Sequence, residues 1–199
     1  MPRLCKAVRE ELTLSMRAKI RETFSRLLAE DRDQSGVTMD SLSAELGVAK
    51  GTLYLYYKTK DEIVRDTLEE GRNALFRRLR EEVDPIREGA DVKLMVYARI
   101  LFEEFTRNRW IRLEFVRKNP LPYSERRMRE HLSVIEAILN EGIREGVFRP
   151  VPVLDTAFFI RSAILGQFRH FLRSGENVDM PRVLALFEDM ILRALKKNP

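Results

Sequence analysis

Residues 47–63 read GVAKGTLYLYYKTKDEI. Tyrosines stand at 54, 56 and 57, lysines at 50, 58 and 60, and no acid occurs from Gly47 to Lys60. In a chain of which 34% is charged, so basic and aromatic a piece calls for a physical reason. Gly47 fits the left-handed position that closes a short helix. A second short helix then fits residues 49–57. With Leu53 at zero and ~100° per residue, Tyr57 falls beside Leu53, on a face able to pack against Leu42 and Val48. Gly51, Thr52 and Leu55 fall on the far side, and Tyr54 and Tyr56 flank the two. Aromatics at helical spacing usually fill cores, and lysine runs usually face solvent, but at most two of these three tyrosines can face one core.

Two short helices joined by residues 47–49 make a helix-turn-helix candidate, a unit that places its second helix in the major groove of DNA. Gly51 would let the backbone approach a partner closely, at a helix cost of ~1 kcal/mol relative to alanine. Thr52 can bond a base edge, and Leu55 can meet a thymine methyl. Tyr54, Tyr56 and Lys60 offer hydroxyls and an ammonium, groups that bind phosphate, and the absence of nearby acids removes repulsion.

Working outward, the pattern is helical nearly throughout. Ile20, Phe24, Leu27 and Leu28 recur at helical spacing in a first helix over 16–30, and the polar run DRDQSG at 31–36 reads as a loop. Thr38 can cap a helix over 39–46. Thr59 precedes Glu62 by three, a capping box that opens a long helix over 60–83, stopped by Pro85. Val64, Leu68, Leu75 and Leu79 form its apolar stripe. Further helices are predicted over 91–108, 110–118, 124–146, 154–174 and 181–196, separated by prolines and glycines. No convincing strand, repeat or low-complexity tract is found. The fold expected is all-α: a three-helix DNA-binding domain at 1–59, then a larger helical bundle at 60–199.

The chain has 36 basic and 31 acidic residues, a net charge of +5, which is a mild lean towards polyanions. No apolar run approaches the ~18 residues of a membrane span, and the N-terminus lacks the apolar core of a signal peptide, so a cytoplasmic location is expected, with no membrane partner. Cys5 is the only cysteine, which excludes an intrachain disulfide and a cysteine-based metal site. His131 and His170 lie in no metal-ligand spacing, and no nucleophile–base arrangement or phosphate loop is present. Neither an enzyme nor a cofactor is expected.

The stretch TMDSLSAELGVAKGTLYLYYKTKDEIV, residues 38–64, resembles the DNA-binding module of TetR-type transcriptional regulators. The specific part is Gly51-Thr52-Leu53-Tyr54, then Tyr57, then Lys60-Asp61-Glu62 and an apolar residue. The resemblance is strong over residues 15–70. Beyond them it rests on helix layout and on VFRPVPVLDTAFFIRSAILG at 147–166. It implies a homodimer that binds palindromic operator DNA, usually as a repressor, and is released by a small-molecule effector held in the C-terminal domain. Carried onto this sequence, it assigns Lys50, Gly51, Thr52 and Leu55 to the major groove. It assigns Tyr54, Tyr56, Lys60 and the cap at Thr38 to phosphates. Two departures stand out. The loop after the first helix lacks the family's glycine–aromatic pair and is a residue longer. Ala49 stands where a serine cap is common, which forgoes ~1 kcal/mol.

In the second half, Tyr97, Phe102, Phe105, Trp110 and Phe115 could line an effector pocket between helices, or simply fill a core. Phe158, Phe159, Ala163 and Gly166, with Leu184, Phe187, Ile191 and Leu192, could pair two helices with their copies in a twofold dimer. The alternative is that both helices cap their own bundle; the resemblance favours the dimer. An alternative to the effector is a protein partner docked by the C-terminal bundle.

Overall fold

The computed structural model describes residues 6–30, 37–107 and 125–197. Its helices are α1 (Lys6–Glu30), α2 (Met39–Leu46), α3 (Lys50–Tyr56), α4 (Lys60–Val83), α5 (Ala90–Arg107), α6 (Glu125–Arg144), α7 (Val153–Ser174) and α8 (Met180–Phe187). A π-helical turn (Glu188–Leu192) follows α8, and α9 (Arg193–Leu195) ends the series. Among the described residues no strand forms beyond a single antiparallel bridge between Phe148 and Lys196. The all-α reading therefore holds. The predicted helix over 110–118, with Trp110 and Phe115, lies outside the described residues, as does the loop at 31–36.

The chain divides into two compact units, Met1–Asn73 and Ala74–Pro199, with the division passing through α4. In the first unit α1, α2 and α3 pack on one another pairwise. They bury Ile20 and Phe24 of α1, Leu42 and Leu46 of α2, and Leu53 of α3. Thr38 and Ser41 cap α2 reciprocally: the Ser41 N–H donates to Thr38 Oγ1 at 3.1 Å, and the Thr38 N–H donates to Ser41 Oγ at 2.9 Å. Gly47 ends α2 at φ 67°, a left-handed conformation that a side chain would strain. Its N–H and that of Val48 donate to the Ala44 and Ser43 carbonyls, so the turn satisfies the helix end.

In the second unit α5 packs against both α6 and α8, and α6 against α7. Arg78 on α4 donates to Glu82, Glu103 and Glu104, and Arg99 to Glu82 and Glu103, a network joining this part of α4 to α5. Lys93, buried on α5, reaches both oxygens of Glu141 on α6 at 2.6 and 2.7 Å. The Arg149 N–H donates to the Leu195 carbonyl at 2.9 Å and the Lys197 N–H to the Val147 carbonyl at 3.2 Å, which fastens the end of the chain to the turn after α6.

The structure revises three expectations. First, α1 starts at Lys6, ten residues before the predicted start at 16. Second, the last helix is not uniform: its middle opens into the π-helical turn. Third, Phe187, Ile191 and Leu192 are buried within their own unit, while Leu186 and Met190 face out. These three therefore fit the alternative in which the helix caps its own bundle.

Candidate nucleic-acid interface

The interface candidate is α3 with the residues flanking it. Leu53 and Tyr57 are both fully buried, as their phase predicts. On the opposite side Gly51 is exposed and Thr52 half-buried, while Leu55 is 76% exposed. Leu55, near the end of this short helix, thus presents an apolar side chain on the same side as Gly51 and Thr52, able to meet a thymine methyl. A Cβ built on Gly51 meets nothing within 4 Å, so its surroundings are open to an approaching surface. Tyr54 is exposed, and Tyr56 and Lys60 are half-buried. Ala49 makes no side-chain cap, and its carbonyl accepts from the Thr52 and Leu53 amides at 2.8 and 3.3 Å.

The junction between α3 and α4 is tightly built. The Glu62 N–H donates to Thr59 Oγ1 at 3.2 Å, so Thr59 does cap α4. The Glu62 carboxylate reaches back to the Lys58 N–H at 2.6 Å, one residue earlier than the predicted box would close. The Lys58 ammonium donates to the Tyr54 carbonyl at 3.1 Å, near the end of α3, where cations are favoured.

Sequence reading missed a polar cluster beneath this surface. The Tyr57 hydroxyl donates to Asp66 Oδ2 on α4. Arg21 of α1 donates to the same oxygen at 2.9 Å, and the Arg17 guanidinium lies 4.6 Å over the Tyr57 ring. Burial alone would lift the Asp66 carboxyl, but the Tyr57 hydroxyl and the Arg21 guanidinium outweigh it and hold it below the ordinary carboxylate range. Burial first, then the bond to Asp66, pushes the Tyr57 phenol up. The cluster fixes the end of α3 to α1 and α4 at once. Its only sequence signal was the four-residue spacing of Arg17 and Arg21, one turn apart beside the core positions Ile20 and Phe24.

A second tie involves the interface itself. The Lys50 ammonium lies 2.6 Å from Asp40 Oδ1, and Asp40 belongs to the first turn of α2. This hydrogen bond, working against slight desolvation, raises the Lys50 ammonium above its ordinary value.

In the second unit Tyr97, Phe102 and Phe105 are all buried. Phe105 stacks on Phe168 of α7 with centroids 4.3 Å apart, and Phe102 meets the same ring edge-on at 5.2 Å. The Tyr97 phenol is pushed up by burial. Phe102 and Phe105 thus share one partner ring, and no cluster of three or more metal-ligating side chains forms among the described residues. No helix among them is long and apolar enough to cross a membrane.

The model of the bacterial regulatory proteins of the tetR family matches residues 25–67, which span α2, α3 and, of the Tyr57 cluster, Tyr57 and Asp66. The HTH-type transcriptional repressor KstR2 of Mycolicibacterium smegmatis is 27% identical over 153 residues, 73% of this chain and 74% of that protein. An uncharacterized HTH-type transcriptional regulator of Bacillus subtilis, YxbF, is 35% identical over 65 residues. That match covers 33% of this chain and spans only 17% of the YxbF protein. The crystal structure of AibR in complex with isovaleryl coenzyme A and operator DNA superposes with a TM-score of 0.68 at 18% identity, over 88% of this chain and 97% of that one. That likeness shows the fold over the described residues it covers. Its helix-turn-helix, its exposed α3 ridge and the family match agree: residues 25–67 form a DNA-binding module of the tetR type, in a chain similar to transcriptional regulators.

Proposed function

We propose that the protein is a homodimeric, ligand-responsive regulator, acting as a repressor on a palindromic operator and released when a small molecule occupies the second unit. The observation that carries the DNA side is the α3 ridge, with Leu55 open to water and Gly51 unobstructed. On this reading Lys50, Gly51, Thr52 and Leu55 meet base edges, and Thr38, Tyr54, Tyr56 and Lys60 meet the phosphate backbone. A cytoplasmic location goes with that role.

Dimerisation is supported by α7. Leu154, Phe158 and Phe159 are 60%, 50% and 66% exposed, and Ala163 and Gly166 continue the same ridge at helical spacing. Such a ridge favours burial against a second copy, and a twofold pair suits two half-sites. Phe159→Asp is expected to convert the dimer to monomer in sedimentation velocity, without loss of helical content. A variant that stays dimeric would place the interface elsewhere.

The effector side rests on the relatives. KstR2 is a repressor, and AibR was solved with an acyl coenzyme A and its operator. A ligand of this kind acts only if it binds the off-DNA conformation better than the DNA-bound one. The packing of Phe102 and Phe105 on Phe168 favours a second reading, in which the bundle docks a protein partner instead.

One titration series tests the proposal. Lys60→Ala should weaken operator and unrelated duplex alike, and should lower the slope of log affinity against log salt by about 0.9, the share of one phosphate contact. Tyr54→Phe should weaken both duplexes and leave that slope alone. Unchanged binding in both variants would remove the phosphate assignment. Adding acyl coenzyme A compounds to the operator complex forms the last arm. Release by one of them supports the effector reading. Retention with all of them, together with a stoichiometric partner in pulldown, supports the second reading.

A further inference from the structure

The run from Gly47 to Lys60 lacks acids in sequence but not in space. Asp40, the second residue of α2, brings its carboxylate 2.6 Å from the ammonium of Lys50, the first residue of α3. Both side chains are open to solvent, Asp40 at 70% and Lys50 at 47%, so the pair sits on the surface and does little to hold the fold together. A carboxylate there opposes phosphate approach, which a protein selected only for affinity to DNA would avoid. Its effect on Lys50 gives it a role. A free surface lysine swings on four methylenes and pairs with whichever phosphate is nearest, and such a contact carries no sequence information. A lysine held by a neighbouring carboxylate is a directed donor, and its charge is already neutralised.

Resting on the reading of Lys50 as a groove residue, we propose that Asp40 is a specificity-determining residue. It holds Lys50 off the phosphate backbone and directs its ammonium at a base edge, so that the regulator separates its operator from arbitrary DNA. The acceptors suited to such a donor are O6 and N7 of guanine, and the adjacent carboxylate can accept from a cytosine amino group. Asp40 also lies in the first turn of α2, where a negative charge suits the helix dipole, so a structural effect has to be separated from a recognition effect.

The test measures affinity against potassium chloride for the full chain. It uses two duplexes of equal length: an operator obtained by binding-site selection and an unrelated sequence. Asp40→Asn should tighten the unrelated duplex several-fold and steepen its salt slope by about 0.9, as Lys50 takes up a phosphate. Operator binding should gain less, so discrimination falls. Asp40→Glu should restore most of the discrimination, which loss of a helix-terminal contact alone would not predict. Adding Lys50→Ala to Asp40→Asn should abolish the gain. The proposal is overturned if Asp40→Asn leaves slope and discrimination unchanged while Lys50→Ala alters operator preference. It is also overturned if the gain persists without Lys50, because simple removal of a repulsive charge would then suffice. If Lys50→Ala alone changes neither preference nor slope, the groove reading of Lys50 is what fails, and the role of Asp40 falls with it.

Discussion

Gly142→Ala is expected to destabilise the second unit by about 2 kcal/mol, although alanine is the better helix former. Gly142 lies inside α6, where the exchange would ordinarily gain ~1 kcal/mol. Here the new methyl would stand 2.6 Å from Phe148 Cε2, inside the contact radius of Cδ2, and 2.9 Å from the Ala90 Cβ. None of these atoms can withdraw cheaply. Phe148 is buried, its N–H donates to the Gly142 carbonyl at 3.0 Å, and its backbone bridges to Lys196. Ala90 is the first residue of α5 and fully buried. Overpacking of this kind typically costs about 1–3 kcal/mol, and a forced shift of backbone lies at the upper end. For a protein of this size the thermal midpoint should fall by roughly 5 °C. Calorimetry of the variant reads this directly, and a midpoint at or above the wild-type value would show that Phe148 yields freely.

How much of this architecture the sequence discloses varies with how local its causes are. The bounds of α2 and α4 were readable to the residue because Thr38, Gly47, Thr59 and Pro85 act on backbone groups within one turn. The inward and outward faces of α3 followed from a 100° phase, because Leu53 and Tyr57 lie one turn apart on a buried stripe. The first ten residues of α1 carried no such stripe. Val8, Leu12 and Leu14 are all exposed there, so propensity sustains that helix and burial leaves no periodic trace. The π-helical turn was hidden for the opposite reason: it alters the period on which the reading depends. The ties at the candidate interface were the least readable. Arg21 and Asp66 are 45 residues apart, and Asp40 meets Lys50 only because α2 and α3 pack together. Polar side chains on solvent-facing positions carry no spacing that marks a partner, so such pairs emerge only from the tertiary arrangement.

The deepest effect on the DNA-binding unit is expected from Tyr57→Ala. The ring is fully buried at the end of α3, its hydroxyl donates to Asp66 on α4, and Arg17 of α1 covers its face. Truncating a buried aromatic to alanine costs about 3–5 kcal/mol through lost burial and the cavity left behind. Against a typical total of roughly 5–15 kcal/mol for a domain, that loss would leave the unit barely folded at 37 °C. Operator affinity should fall at least tenfold, while the helicity of the second unit persists. Tyr57→Phe keeps the ring and removes only the donor to a charged acceptor, a loss of about 1.5–3 kcal/mol. The two variants also differ from wild type in acid. The Asp66 carboxyl is held below its ordinary value in the folded state, so its contribution is present above the unfolded carboxylate value of about 3.9 and is lost as pH falls through the folded one. Removing the Tyr57 hydroxyl takes away the foremost group opposing burial at Asp66. Between pH 7 and pH 3, Tyr57→Phe should therefore lose less stability than wild type. Parallel denaturant titrations across that range would read the difference, and identical pH profiles would show that Arg21 alone sets the Asp66 charge.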